Sequence, residues 1–242
     1  MKFLYNAPAI LHRGALIIGD THFGMEEKLR GRGIFDEMLS ERIFGRIMLL
    51  LKKTKAKKLI IAGDVKDDIL RVDEKTIDIL GRLAKRAELA IVKGNHDGGL
   101  EKICGVLGIG VSGPGGIVYG KIGIMHGHSW PDEKLMQCDY LVSAHQHPQI
   151  SVVDRSGKIH RQAAWLVAEA DAEKTRETYP AFNGKIKLVL LPAFNPLVGS
   201  TINKPGERQL GPILNNKLFK LNDALVIGLD GSLVGKLKDV KK

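Results

Sequence analysis

The sequence predicts an α/β fold in which two sheets pack face to face with helices outside, and three observations predict it. Five short apolar runs each end in Asp, Asn or His. A short continuous apolar run is how a buried parallel strand reads. The first three runs alternate with stretches of helical periodicity, a βαβ pattern that implies parallel strands joined by right-handed crossovers. Beyond Gly108 the helical stretches shorten and the strands crowd around glycine turns, so the second half is expected to be β-rich and antiparallel or mixed.

Residues 1–13 read as an edge strand or arm. Ala15-Leu-Ile-Ile forms the first strand and runs to Gly19, ahead of Asp20-Thr-His22. The segment 25–33, which contains Lys28-Leu-Arg-Gly-Arg-Gly33, reads as a mobile basic loop. Ile43, Ile47, Leu50 and Leu51 recur at helical spacing and predict a helix over 36–53. Lys58-Leu-Ile-Ile-Ala-Gly-Asp64 is the second strand, with Gly63 free to turn sharply at its end. Ile77, Leu80 and Leu83 share one stripe and predict a helix over 72–85. The third strand, Leu89-Ala-Ile-Val, ends at Lys93 before Gly94-Asn-His-Asp97, and 100–107 reads as a short helix. Segments 117–119 and 121–125 flank Gly120 as a tight hairpin, and 140–143 is a further strand. Segments 149–154 and 158–161 flank Arg155-Ser-Gly157, a hairpin signal; 185–191 is a strand; 224–229 and 232–237 flank the strong turn Asp230-Gly231. The Pro-, Gly- and Asn-rich stretch 192–212 reads as one long loop. No internal repeat and no dividing linker is visible, so one domain is expected over 1–242, with a β-rich part over 148–242.

Composition narrows the class. Hydrophobic residues make up 44% of 242, enough for a sizeable core, and no run approaches a membrane span. The first 16 residues lack a signal-peptide layout, so a cytoplasmic protein with no membrane partner is expected. Cys104 and Cys138 are too few for a disulfide framework and read as buried free thiols. The net charge is +10. Between residues 28 and 58, ten basic residues stand against Asp36, Glu37 and Glu41. Such a stretch suits a polyanion partner, nucleic acid included; the plainer reading is a solvated, lysine-rich helix face.

The ligand types at the strand ends decide the chemistry. Asp20, His22, Asp64, Asn95, His126, His145 and His147 mix carboxylate, amide and imidazole. That mixture suits Mn, Fe, Zn, Ni or Co better than Ca or Mg. Seven protein ligands exceed the needs of one tetrahedral ion, so two divalent ions are implied, and a carboxylate is the natural bridge between them.

Asp20-Thr-His22, Gly63-Asp-Val-Lys-Asp67, Gly94-Asn-His-Asp97, His126 and His145-Gln-His147 resemble, in this order, the motifs of the calcineurin-like metallophosphoesterases. They cover 20–147, and Pro192-Ala-Phe-Asn-Pro196 is similar to the Icc-related branch. One departure exists: Ala144 stands where the family has Gly, and a slight backbone adjustment is expected there. The resemblance implies a four-layer α/β/β/α sandwich. It implies that Asp20, His22, Asp64 and His147 bind a first ion, and that Asn95, His126 and His145 join the bridging Asp64 around a second. It implies that His96 faces the phosphate as general acid or hydrogen-bond donor, oriented by Asp97, and that Asp67 supports a ligand or water from behind. The implied activity is hydrolysis of phosphomonoesters or phosphodiesters by in-line attack of a metal-bridging hydroxide. Two divalent ions, two carboxylates and that hydroxide leave the pocket with a net positive charge that calls for an anion.

Alternatives stand beside these roles. The plainer alternative for Asp67 is a helix N-cap, and for Asp97 a turn or cap residue. His128 reads best as a local loop hydrogen bond, and Asn195 as a turn that could also approach the metal crevice. The 28–33 loop leaves the site beside His22 and can meet a phosphate backbone. A nuclease or nucleic-acid end-processing enzyme is the alternative substrate reading, and a non-catalytic scaffold the alternative class. Oligomeric state, metal identity (Mn favoured) and substrate are not written in the sequence.

Overall fold

The computed structural model describes residues 1–153, 156–202 and 210–240. Two sheets form its centre. The first contains β1 (Lys2–Phe3), β2 (Ile10–His12), β3 (Ala15–Ile18), β4 (Lys58–Ala62), β5 (Glu88–Val92) and β6 (Gly110–Ser112), side by side in that order. From β3 to β6 the pairing is parallel, and β1 and β2 add an antiparallel edge. The second contains β7 (Ile117–Tyr119), β8 (Ile122–Met125), β9 (Tyr140–Ser143), β10 (Pro148–Val153), β11 (Ile159–Glu169), β12 (Lys187–Leu190), β13 (Ser200–Thr201), β14 (Leu225–Gly228) and β15 (Leu233–Lys236). Here β8, β9 and β12 run parallel, and antiparallel strands flank them.

Period-two alternation builds the layers. On the first sheet Ile17, Ile60, Ala62 and Val92 face Ile124, Val142, Trp165 and Val189 of the second, forming a core between the sheets. The intervening residues Leu16, Ile18, Leu59 and Ile61 face outward onto α2 (Leu39–Thr54), α3 (Glu74–Arg86) and α4 (Leu100–Val106). On the second sheet Leu141, Leu166, Leu188 and Leu190 turn outward and are covered by Ile213, Leu214, Tyr179 and Phe219. The result is the four-layer α/β/β/α sandwich. No helix among the described residues is long and apolar enough to cross a membrane.

Several elements depart from expectation. The 25–33 segment is not a plain loop: it carries α1 (Met25–Arg30), whose first turn holds Glu26 and Glu27 and whose last holds Lys28 and Arg30, the charge order a helix dipole favours. β6 is short, begins at Gly110 and is flanked by Gly108 and Gly113, so it leaves no apolar signature. β11 continues to Glu169, far beyond 161, because its inner half pairs with β12 and β14 after its outer half pairs with β10. α5 (Ala172–Thr178) is capped by Asp171 and polar almost throughout, so periodicity misses it. The hairpin expected around Arg155-Ser-Gly157 falls in part outside the described residues, although β10 and β11 do pair on either side, Val153 opposite Ile159. The 192–212 stretch contains β13, and its residues 203–209 lie outside the described residues.

The basic stretch does not form one surface. α2 crosses from the end of β3 back to the start of β4, and its 16 residues span about 24 Å at 1.5 Å per residue. Lys52, Lys53, Lys55, Lys57 and Lys58 therefore lie at the end of the sheet opposite Asp64, while Lys28, Arg30 and Arg32 lie near it.

Candidate metal centre

Each candidate side chain lies just past the carboxyl end of a parallel strand, where open α/β sheets bind ligands. Asp20 and His22 follow β3, Asp64 and Asp67 follow β4, and Asn95, His96 and Asp97 follow β5. His126 follows β8, and His145 and His147 follow β9. The crevice lies where the ends of the two sheets meet.

The backbone there is strained. Asp20, His22, Asp64, His145 and His147 all have positive φ, at 54°, 44°, 48°, 67° and 48°. A left-handed non-glycine residue costs about 1–2 kcal/mol. Such strain persists only where surrounding bonds hold it, and it gathers at functional sites. Asp20 N donates to Gly63 O at 3.0 Å, His22 N to Asp64 O at 3.0 Å, and His145 N to the Asp20 carboxylate at 3.3 Å. Two glycines are required by close approach. A Cβ on Gly63 would overlap the His126 ring, and one on Gly94 would overlap the backbone and carboxylate of Asp64. Ala144 is accommodated because Gly19 opposite it has no side chain: a Cβ there would lie 2.8 Å from that of Ala144.

The side chains converge in overlapping groups. Asp20, His22, Asp64 and His147 offer ligand atoms within 4.8 Å of one another, and so do Asp64, His126 and His145. Asp64 belongs to both, and His22, Asp67 and His96 form a third such group without it. Asp64 Oδ2 lies 3.3 Å from His126 Nε2 and 3.7 Å from His22 Nε2. His147 Nε2 lies 3.1 Å from Asp20 Oδ1. Asn95 Oδ1 and His145 Nδ1 each lie 3.1 Å from His126 Nε2.

Tautomers test whether these residues fit a cation. His126 Nδ1 lies 3.0 Å from the Ala62 carbonyl. A carbonyl only accepts, so Nδ1 carries the proton, and in the neutral ring Nε2 is a bare lone pair. That lone pair faces a carboxylate oxygen, an amide oxygen and a second imidazole. Among the described residues, buried atoms without a hydrogen-bond partner include Asp20 Oδ2, both ring nitrogens of His22 and His147 Nε2. Buried polar groups are normally satisfied. Converging, unsatisfied carboxylate oxygens and one lone-pair nitrogen from each imidazole fit divalent metal ions.

Around this set, Asp67 and Asp97 hold the loops. Asp67 Oδ1 lies 3.4 Å from His22 Nδ1 and 3.5 Å from Lys28 Nζ; the N-cap of the following helix is Asp73. The carboxylate of Asp97 is fully buried and accepts from Val65 N at 2.8 Å and Gly94 N at 2.7 Å. It thus ties the Asp64 loop to the Asn95 loop. His96 N donates to Asp64 Oδ1 at 2.9 Å, and its Nδ1 donates to Asp67 O at 2.5 Å. His128 Nδ1 is buried without a hydrogen bond, and its ring rests 5.3 Å from that of His126. Sequence reasoning missed Lys66. Its side chain is fully buried, and Nζ donates to the carbonyls of Asp68 and Ile69, fixing the loop whose Asp67 carbonyl meets His96. The signal was a lysine between Asp64 and Asp67. Lys66→Met would leave two carbonyls unpaired, and a urea titration is expected to show a loss of about 1–3 kcal/mol.

Electrostatics set a pH dependence. Burial alone would lower the His126 pKa, but the carboxylates of Asp64 and Asp20 raise it from 6.5 to about 9. Burial and the charge on His126 push His145 down to about 4. Asp20 is raised by burial and pulled down further by His147, His126 and His22, for a net decrease. The His126 proton stabilises the metal-free fold fully below 6.5 and is lost as pH rises through about 9. A metal ion must displace that proton. The metal-induced rise in Tm is therefore expected to widen between pH 6.5 and 9, as differential scanning calorimetry with and without Mn will show.

The calcineurin-like phosphoesterase family model matches residues 15–179. The crystal structure of Pseudomonas putida nuclease MPE matches at 20% identity, covering 94% of this chain and 91% of that one, with a TM-score of 0.60. The structure of Yfce, a phosphoesterase from E. coli, matches at 18% identity over 92% of this chain and 97% of that one, with a TM-score of 0.44. No curated protein matches the sequence.

Proposed function

The chain belongs to the calcineurin-like phosphoesterase family and is a metal-dependent phosphoester hydrolase, and from that premise we propose that its site is binuclear, with Asp64 bridging two ions. The observation that carries this reading is the place of Asp64 in both ligand groups. In it, Asp20, His22, Asp64 and His147 hold the first ion, and Asn95, His126 and His145 complete the second around Asp64. Manganese is the metal we favour for this mixed N/O set. When bound, the ions supply hydroxide at neutral pH and neutralise charge on the phosphoryl oxygens. The chain's own groups do the rest. Asp20 and Asp64 would offset only part of the ions' charge, so the pocket stays positive and attracts an anion. His96 presents Nε2 to the phosphate and delivers a proton to the leaving oxygen. Asp97 holds the His96 loop against the Asp64 loop, and Asp67 braces His22. The domain is read as the whole of 1–242, and the protein as cytoplasmic, since both cysteines are buried free thiols.

The test is a Mn-loaded substrate panel of p-nitrophenyl phosphate, bis-p-nitrophenyl phosphate, cyclic nucleotides and single-stranded DNA. Two equivalents of Mn with turnover of at least one ester are expected. Fewer than two equivalents under excess Mn would sink the binuclear reading.

One observation favours a nucleic-acid substrate as the second reading. Beside the crevice, Phe35 is 77% and Leu70 88% exposed, with Ile34, Met38 and Ile69 also exposed. Lys28 reaches Asp67, and Lys75 Nζ donates to Glu37 O at 2.6 Å, so the two loops form one rim. Among the described residues Arg32 has no ion pair on this rim. An aromatic near an unpaired arginine suits stacked bases and a phosphate backbone. Hydrolysis of oligonucleotides that falls steeply with salt is the expected result; activity on small nucleotides alone would exclude it.

A further inference from the structure

We infer that the segment 191–202 is a strap that fixes the two sheets' ligands for the first ion against each other, and that Asn195 is its positioning residue. The inference rests on the binuclear reading above. Asp20, His22 and Asp64 sit on the first sheet, whereas His147 sits on the second. Their mutual distances depend on what joins the two loops, and the strap joins them.

It leaves the second sheet at the end of β12, where Leu191 N donates to Ser143 O at 2.8 Å. β12 is itself parallel to β9, so this is a sixth strand end aimed at the crevice. The strap then crosses to the first sheet. Phe194 N donates to Gly19 O at 2.9 Å, and Asn195 N to Asp20 O at 3.1 Å. It returns to the second: Ser200 N donates to His147 O at 2.8 Å, and Ile202 N to Gln149 O at 2.9 Å. Arg46 clamps it from α2, with its Nη1 3.3 Å from Phe194 O and its guanidinium 4.9 Å over the Phe194 ring.

The turning point is Asn195, whose side chain is fully buried. Nδ2 donates to Thr21 O at 3.1 Å, and Oδ1 accepts from Leu197 N at 3.0 Å. Thr21 lies between Asp20 and His22, and its hydroxyl donates to Val65 O at 2.9 Å, carrying the restraint on to the Asp64 loop. The amide supplies a donor and an acceptor on two separate atoms. Aspartate would set a carboxylate against the Thr21 carbonyl. Asp20 and His22 are left-handed, so the loop needs such external bonds to stay in place.

Mutating groups that support metal ligands typically costs about 10–100-fold in metal affinity. Asn195→Ala, and the isosteric Asn195→Asp, are expected to weaken one of two Mn binding events by about that factor and the other, which shares only Asp64 with it, by clearly less. Isothermal titration of the full metal-free chain with Mn reads this without any turnover. A residue that served only the general stability of the fold would weaken both events together or neither. Two wild-type affinities in Asn195→Asp, or equal loss at both positions, would overturn the strap's role. If the wild-type chain itself bound fewer than two Mn, the binuclear reading would fail first, and the inference with it.

Discussion

Asp64→Ala is expected to release both metal ions at once and to lower hydrolysis by at least about 10³-fold. Lewis-acid stabilisation by a bound ion is worth several kcal/mol, and each 1.4 kcal/mol is about a factor of ten. The double loss follows from position. Asp64 Oδ2 faces His126 Nε2 at 3.3 Å and His22 Nε2 at 3.7 Å, so each ligand group is left without its shared carboxylate. Asp20→Ala makes the contrast, since Asp20 appears in one group only; it is expected to empty one position and spare the other. The check is metal content by mass spectrometry after dialysis from excess Mn, with circular dichroism to show that the variant folds. One full equivalent of Mn retained by Asp64→Ala would show that the aspartate serves a single ion.

Much of this centre was legible in the sequence because its determinants are local. An apolar run forces a buried strand, and the next polar residue must emerge at the strand's end. Five such ends gave Asp20, Asp64, Asn95, His126 and His145 without reference to their neighbours. The alternation along each strand then follows from the pleat: Leu16 and Ile18 point one way and Ile17 the other.

What stayed hidden depends on contacts far apart in the chain. The length of β11 is set by its pairing with β12 and β14, up to about 60 residues away, and the apolar run 163–168 that carries it follows a polar stretch, Arg161-Gln162, that looked like the strand's end. Asn195 looked like a turn between two prolines. It is a turn, since Leu197 N bonds its Oδ1, but its amide also reaches Thr21, 174 residues earlier. Lys66 was overlooked because a lysine is almost never fully buried without a partner, and its partners are carbonyls that leave no mark in the sequence. The charge excess over 28–58 divides in space for a related reason. A helix carries its ends apart, so residues close in sequence lie at opposite ends of the sheet.

His96→Ala is expected to keep both ions and to slow turnover by about 10²–10⁴-fold, the usual contribution of a positioned acid or base. His96 lies beside the ligand His22, their rings 5.0 Å apart, but its own polar groups are engaged elsewhere. Its Nδ1 proton is committed to the Asp67 carbonyl at 2.5 Å, and its backbone amide to Asp64 Oδ1 at 2.9 Å. The amide bond survives in the alanine variant, so Asp64 stays oriented. Only Nε2 is open, and to act as an acid it must carry a second proton in the reactive state. The cost of losing it then depends on the leaving group. Nitrophenolate departs unprotonated, so bis-p-nitrophenyl phosphate is expected to lose least. An alkyl or nucleoside ester needs the proton and is expected to lose most. Turnover of both ester types by wild type and variant, at equal Mn occupancy, measures this. The same loss on both esters would make His96 a donor to phosphoryl charge and not an acid, and loss of Mn from the variant would make it a ligand.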